Sequence, residues 1–206
     1  MKVDHQETLE KLLGDVTGKR VLEIGCGDGT TAIRLAQRGA TVVAVDPSVE
    51  AIDAARAAAT EADVRIDLRV SNLADLAFMR ADSVDIAYSD FSLATLEDID
   101  RVFRQTHRVL RPGAWFTLAL PHPVGLCVAI DAEPEGALPL ARPYLTRSYF
   151  DPEPVGNIHP HTMGGVFAGL GRAGFRIDAL VELAPEESQR PVVPTVVIWR
   201  GRKEGV

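Results

Sequence analysis

Three glycines in alternation, Gly25, Gly27 and Gly29, stand directly after the strand-like run "RVLEI" and directly before a helical pattern that opens at Thr30. This feature restricts the fold of the chain more than any other. Glycine weakens a regular element, so a cluster of this kind serves backbone geometry or the close approach of another group. A strand that runs into a tight glycine turn and then into a helix is the entry to an α/β unit. In open sheets of that kind, ligands sit beyond the carboxyl ends of the strands. The loop 25–29 should therefore line a binding crevice.

The rest of the chain continues the alternation. Residues 3–13 place Leu9, Leu12 and Leu13 on one side of a short amphipathic helix closed by Gly14. After the glycines, 30–38 reads as a helix ended by Gly39. "TVVAVD" reads as a strand buried on both faces, as parallel strands are. Residues 49–60 are alanine-rich and helical, "VRIDLRV" is a strand with one wetter face, and "SVDIAYS" is another short strand. A helix is expected over 96–110, then a turn and a strand in "RPGAWFTLAL". Residues 162–173 read as a glycine-diluted helix, and "FRIDALVEL" and "PTVVIWRGR" as two closing strands. The short loop between those two predicts antiparallel pairing. The pattern predicts one domain over residues 1–206, a doubly wound, Rossmann-like, mostly parallel sheet of seven strands with an antiparallel C-terminal hairpin.

Residues 121–160 break the pattern. They are proline-rich, lack a sustained period and are too long for an ordinary connection, which points to a functional lid or a disordered segment. Few residues precede the first strand, so the substrate lid is expected mainly from 121–160.

The 206 residues carry a formal charge of −7, which disfavours a nucleic-acid partner, since such proteins present a basic face. Two cysteines far apart, Cys26 and Cys127, give neither a disulfide framework nor paired metal-ligand spacing, and no metal is expected. No apolar run reaches the length of a membrane span, and the acidic N-terminal segment is unlike a signal peptide. A soluble, cytoplasmic protein without a membrane partner is expected.

Of two nucleotide-binding loops, one is disfavoured and the other excluded. The dinucleotide fingerprint G-x-G-x-x-G needs glycine at position 30, where Thr30 stands, and no Gly-Lys-Ser/Thr follows to make a phosphate loop. Instead Gly25-Cys26-Gly27-Asp28-Gly29, preceded by Glu23, resembles the first motif of class I S-adenosylmethionine-dependent methyltransferases. Within that family it resembles the small-molecule, ubiquinone/menaquinone-type branch. The resemblance runs over roughly 21–120 and rests on four ordered motifs. It implies that Gly25, Cys26, Gly27 and Gly29 lie against the aminoacyl end of the cofactor S-adenosyl-L-methionine and that Glu23 faces its ammonium group. Asp46, about twenty residues beyond the glycines and followed by Pro47, is suited to accept bonds from ribose hydroxyls, with helix capping as its competing role. "VSNLADLAF" resembles the adenine-contact segment, with Asn72 and Leu73 in the contact positions and Asp75 as an alternative carboxylate. "LRPGAW" matches a structural turn of the family.

Ser89 and Asp90, with Phe91, stand where the family approaches the sulfonium and the substrate. Methyl transfer is an in-line displacement that positioning alone can accelerate, while a hydroxyl acceptor gains from a general base. His122 in "PHP", at the end of the fifth strand, is the candidate base or substrate contact. His159 and His161 are weaker candidates, and Tyr144, Tyr149 and Phe150 could form an aromatic substrate wall. Cys26 reads as a loop filler. The expected partner is a small, neutral or cationic methyl acceptor, and the protein is expected to be a monomer or homodimer. Two other readings stay open: a binding protein that holds the cofactor or its product without turnover, and an NAD-dependent oxidoreductase, which Thr30 disfavours.

Overall fold

The computed structural model describes residues 5–128, 143–145, 149–151, 156–184 and 193–205. In chain order the elements are α1 (His5–Leu13), β1 (Arg20–Ile24), α2 (Thr30–Gln37), β2 (Thr41–Asp46), α3 (Val49–Glu61), β3 (Ile66–Val70) and β4 (Val84–Asp90). A 3₁₀ turn (Ser92–Thr95), α4 (Asp100–Val109), β5 (Leu110–Pro121) and α5 (Pro123–Cys127) follow, then β6 (Tyr149–Asp151), β7 (Gly156–Ile158), α6 (Met163–Arg172), β8 (Phe175–Leu183) and β9 (Val196–Lys203).

Seven strands form one sheet in the order β3-β2-β1-β4-β5-β9-β8, and β6 pairs with β7 apart from it. The first five are parallel, and β9 runs antiparallel to both β5 and β8. The sheet is the expected doubly wound one with an antiparallel end. Val42, Val43, Ala44 and Val45 are all buried, because α2 and α3 cover one face of β2 and Leu73, Leu76 and Met79, between β3 and β4, cluster with the other. On one face Phe103, Phe116, Val166, Leu170 and Trp199 pack between the sheet and α4 and α6. On the other, Leu9, Leu13, Leu35, Ile52 and Tyr88 pack beneath α1, α2 and α3. Each fully buried side chain of this size contributes about 1.5–3 kcal/mol, so tertiary packing rather than intrinsic helix propensity holds these layers. The wetter face of β3 follows from its place at the sheet edge.

Two boundaries differ from the sequence pattern. The helix expected over 96–110 begins only at Asp100, whose amide donates to Asp98 Oδ1 at 2.9 Å, after the chain has spent Ser92–Thr95 on the 3₁₀ turn. The turn expected at Pro112 and Gly113 is a bulge within a longer strand: pairing jumps from Val84–Leu110 to Ile86–Trp115, with Gly113 at φ 82°. Much of the expected cover, including 129–142, 146–148 and 152–155, lies outside the described residues. Among the described residues no helix is long and apolar enough to cross a membrane.

Candidate cofactor site

β1 lies between β2 and β4, so the strand order reverses beside it and a crevice opens at its carboxyl end. The glycine loop fills the floor of that crevice, and its glycines are there for different reasons. The amides of Gly25 and Cys26 both donate to Val45 O, at 2.8 and 3.1 Å. Gly25 has φ 80°, its carbonyl accepts from the Ser92 hydroxyl at 2.8 Å, and a Cβ on it would collide with the Ser92 side chain. Gly29, at φ 78°, caps α2, and a Cβ there would lie 2.8 Å from Ala55 Cβ on α3. Gly27, at φ 51°, is different: a Cβ on it would meet no protein atom within 4 Å. Gly29 thus serves helix packing, and Gly27 keeps the crevice open.

Asp46, at the end of β2, fixes this loop. Its Oδ2 accepts from the Gly27 amide at 2.9 Å and its Oδ1 from the Ser48 amide at 2.9 Å. Capping of α3 falls to Ser48, whose hydroxyl accepts from Ala51 N at 3.1 Å. The carboxylate of Asp46 is therefore held at the rim, with acceptor capacity left on each oxygen. A cavity of about 320 Å³ opens there between Asp46, Pro47, Leu73, Asp90, Phe91 and Ser92. Leu73 is buried and lines it. Asn72 is exposed, and its Oδ1 accepts from Ala74 N at 2.9 Å, a local turn that directs it to a neighbouring hollow shared with Asp75 and Leu96. Asp75 closes a similar turn onto Ala77 N at 3.1 Å.

Glu23 is 3% exposed, and its Oε2 has no partner among the described residues. It stands opposite Tyr88 in the parallel register, near enough for the Tyr88 hydroxyl to favour the charged carboxylate, although no hydrogen bond of good geometry joins them. Burial pushes the Glu23 carboxyl up to about 8; the charges of Asp90 and Asp28 act in the same direction, and Tyr88 and Arg34 oppose it. Asp90 Oδ1 is buried and unpartnered, while Oδ2 lies 3.4 Å from His5 Nε2 on α1. The His5 ring is tilted over Phe91 at a centroid distance of 5.0 Å. Ser89 is buried on the opposite face of β4, with its hydroxyl unpartnered. The Cys26 thiol points into the core, and burial, followed by the charges of Glu23 and Asp46, pushes it up to about 12. Burial thus keeps it in the thiol form, which is the poorer nucleophile.

His122 is 3% exposed and both of its ring nitrogens are engaged. Nδ1 accepts from Val124 N at 3.2 Å, which places the proton on Nε2, 2.7 Å from Glu182 Oε1. Its backbone amide donates to Thr195 O at 2.8 Å. His122 therefore caps α5 and ties it to β8, and in this arrangement it has no lone pair to take a proton. His159 N donates to Ala94 O at 2.8 Å, and His161 Nε2 donates to Leu93 O at 3.2 Å, so both seat the chain on the 3₁₀ turn. Tyr144 Oη accepts from Met163 N at 3.2 Å. Ser92, Tyr88 and His5 carry no sequence signature. Tyr88 joins Glu23 only through strand register, and His5 reaches Asp90 only because α1 folds back across the sheet.

The known family described as a methyltransferase domain matches residues 21–113. A ubiquinone biosynthesis O-methyltransferase from Bordetella avium is 31% identical over 109 residues, covering 53% of this chain and 45% of that protein. A magnesium-protoporphyrin O-methyltransferase from Rhodobacter capsulatus is 37% identical over 112 residues, covering 54% of this chain and 50% of that protein. The chain thus spans about half the length of the curated relatives it matches. The crystal structure of an S-adenosylmethionine-dependent methyltransferase from Mesorhizobium loti superposes with a TM-score of 0.81 at 28% identity, over 95% of each chain. The glycine loop, the sheet order and the matched domain agree: residues 21–113 form a methyltransferase domain of the class I S-adenosylmethionine-dependent kind.

Proposed function

We propose that this protein binds S-adenosyl-L-methionine in the crevice between β1 and β4 and transfers its methyl group to a small-molecule acceptor by in-line displacement. The open position over Gly27 carries this reading: a Cβ there would meet no protein atom within 4 Å, and the Gly27 amide is held by Asp46, which lines the cavity. The residues there suit the cofactor. Asp46 would accept from ribose hydroxyls, Pro47 and Leu73 would flank the adenine, and Glu23 offers a carboxyl for the α-ammonium group. When bound, the cofactor supplies an electrophilic methyl group on a sulfonium.

The chain's own residues position and enclose. Asp46 keeps the loop in its shape through Gly27, and Asp90 and Phe91 form the wall toward the acceptor. His122 anchors the start of the cover, residues 121–160, which would exclude water. The acidic chain, and relatives named as O-methyltransferases, support a small molecule with an oxygen acceptor over nucleic acid. The engagement of both His122 nitrogens also favours a second reading, a cofactor-binding protein without turnover.

Calorimetry with S-adenosylhomocysteine and with NAD tests the cofactor. Binding of the first and not the second is expected, and tight NAD binding alone would overturn the assignment. Mass-spectrometric detection of methylated product across a panel of phenols, carboxylic acids and amines then separates an enzyme from a binding protein.

A further inference from the structure

An ionised carboxylate that leaves water without a cation beside it is among the most costly groups a protein can hold, and such groups stay neutral instead. Glu23 is in this position. Among the described residues it makes no ion pair, and its Oε2 has no hydrogen-bond partner. Arg34 of α2 is the nearest basic influence, and its guanidinium is paired with Glu10 of α1 at 3.0 Å. The other groups facing Glu23 repel a negative charge or cannot neutralise it. Asp90 and Tyr88 come from β4, and Cys26 and Asp28 from the glycine loop. Asp46 of β2 bears on the same loop through Gly27 and Cys26, and His5 of α1 lies 3.4 Å from Asp90.

We propose that Glu23 is the neutral acid in the cofactor-free protein and that arrival of the ligand's α-ammonium group expels its proton. The step is balanced: the carboxylic acid and the ammonium ion become a carboxylate–ammonium pair, and one proton leaves to solvent. This rests on the S-adenosylmethionine reading of the cavity and adds what that reading does not contain, a proton linkage. Its direction agrees with the upward displacement of the Glu23 carboxyl by burial. The consequence is selective. Only a ligand bearing a cation at that point makes ionisation of Glu23 favourable, so the adenosine portion alone leaves the acid protonated.

The test is isothermal titration calorimetry with S-adenosylhomocysteine at pH 6.5 in buffers of different ionisation enthalpy, which counts the protons released. We expect release of close to one proton. Affinity should rise as pH increases from 5.5 to 7.5, approaching tenfold per pH unit, and level off near pH 8, where Glu23 is already ionised in the free protein. Methylthioadenosine, which lacks the aminoacyl end, should bind with no release and a flat pH dependence. Glu23→Gln should abolish both the release and the slope for S-adenosylhomocysteine. Binding of S-adenosylhomocysteine to the wild type with no proton released overturns the inference while leaving the cofactor reading intact. Equal release with methylthioadenosine also overturns it, since the proton then comes from elsewhere. Failure of S-adenosylhomocysteine to bind at all overturns the cofactor reading and the inference together.

Discussion

The loop after β1 and the short helix after β5 both begin where a parallel strand stops, at the same edge of the sheet, yet they are held in opposite ways. The glycine loop is held through its own backbone groups: Gly25 and Cys26 donate to Val45 O, the Ser92 hydroxyl holds the Gly25 carbonyl, and the Asp46 carboxylate holds the Gly27 amide. The glycines themselves add no side chains, and the position over Gly27 is open. The helix α5 is fixed by a side chain. His122 bridges from Val124 N to Glu182, and Gly125 packs so closely on the 194–195 segment that a Cβ would lie 2.6 Å from Pro194 O. One region is shaped to leave room, the other to close a clamp. A histidine at a strand's carboxyl edge is therefore not a base by position alone. What its two nitrogens face decides.

The contrast is sharpest among the glycines. Gly27→Val should lower affinity for S-adenosylhomocysteine by more than a hundredfold, because the new side chain occupies ligand space. The melting temperature should fall only by the modest cost of a branched residue at positive φ. Gly29→Val should do the reverse, overpacking α2 against Ala55 at about 1–3 kcal/mol of stability, with affinity following the folded fraction. Calorimetry and thermal melts on the pair measure this, and equal losses in both variants would erase the distinction drawn within the loop.

The second prediction concerns the cover. Replacing residues 133–142 with a glycine-serine linker should leave S-adenosylhomocysteine affinity within a few fold and reduce turnover on any acceptor found by the panel by tenfold or more. Full turnover in that variant would mean that these residues do not close over the acceptor.

Asp46→Ala comes next. It removes the acceptor for two backbone amides and for the ribose together, and about 1–3 kcal/mol of cofactor affinity should go with it. His122→Asn should have a smaller effect. Asparagine still caps a helix but cannot span to Glu182, so stability should fall by about 1 kcal/mol, within the range of a net hydrogen bond. Cofactor affinity should be unchanged. A pH–rate profile that loses a limb in this variant would instead restore His122 as the base.

Finally, stability carries a mark of the buried acid. With the Glu23 carboxyl raised from 4.5 to about 8, its contribution is full below pH 4.5 and is lost as pH rises through 8. Denaturant melts of the cofactor-free protein should show that decline between these values, and Glu23→Gln should flatten it.

The sheet, its parallel core and its antiparallel end were legible in the sequence because period and turn chemistry are local. The continuous valines of "TVVAVD" require burial on both faces, and a short polar loop requires a hairpin. The glycine loop was legible for the same reason, since Gly25, Gly27 and Gly29 tolerate positive φ where other residues are strained. Local pattern ended at the start of α4, where Ser92–Thr95 and Asp98 redirected a run that reads as continuous helix. It also could not divide labour among the glycines, because Ser92 and Ala55 are distant in sequence and meet them only through packing. Tertiary structure likewise decided the surroundings of Glu23 and His122. Strand register set Tyr88 beside the buried acid, and the antiparallel return of the chain brought Glu182 to a histidine sixty residues away. Burial and pairing at long range fix protonation, and neither is written in the neighbouring residues.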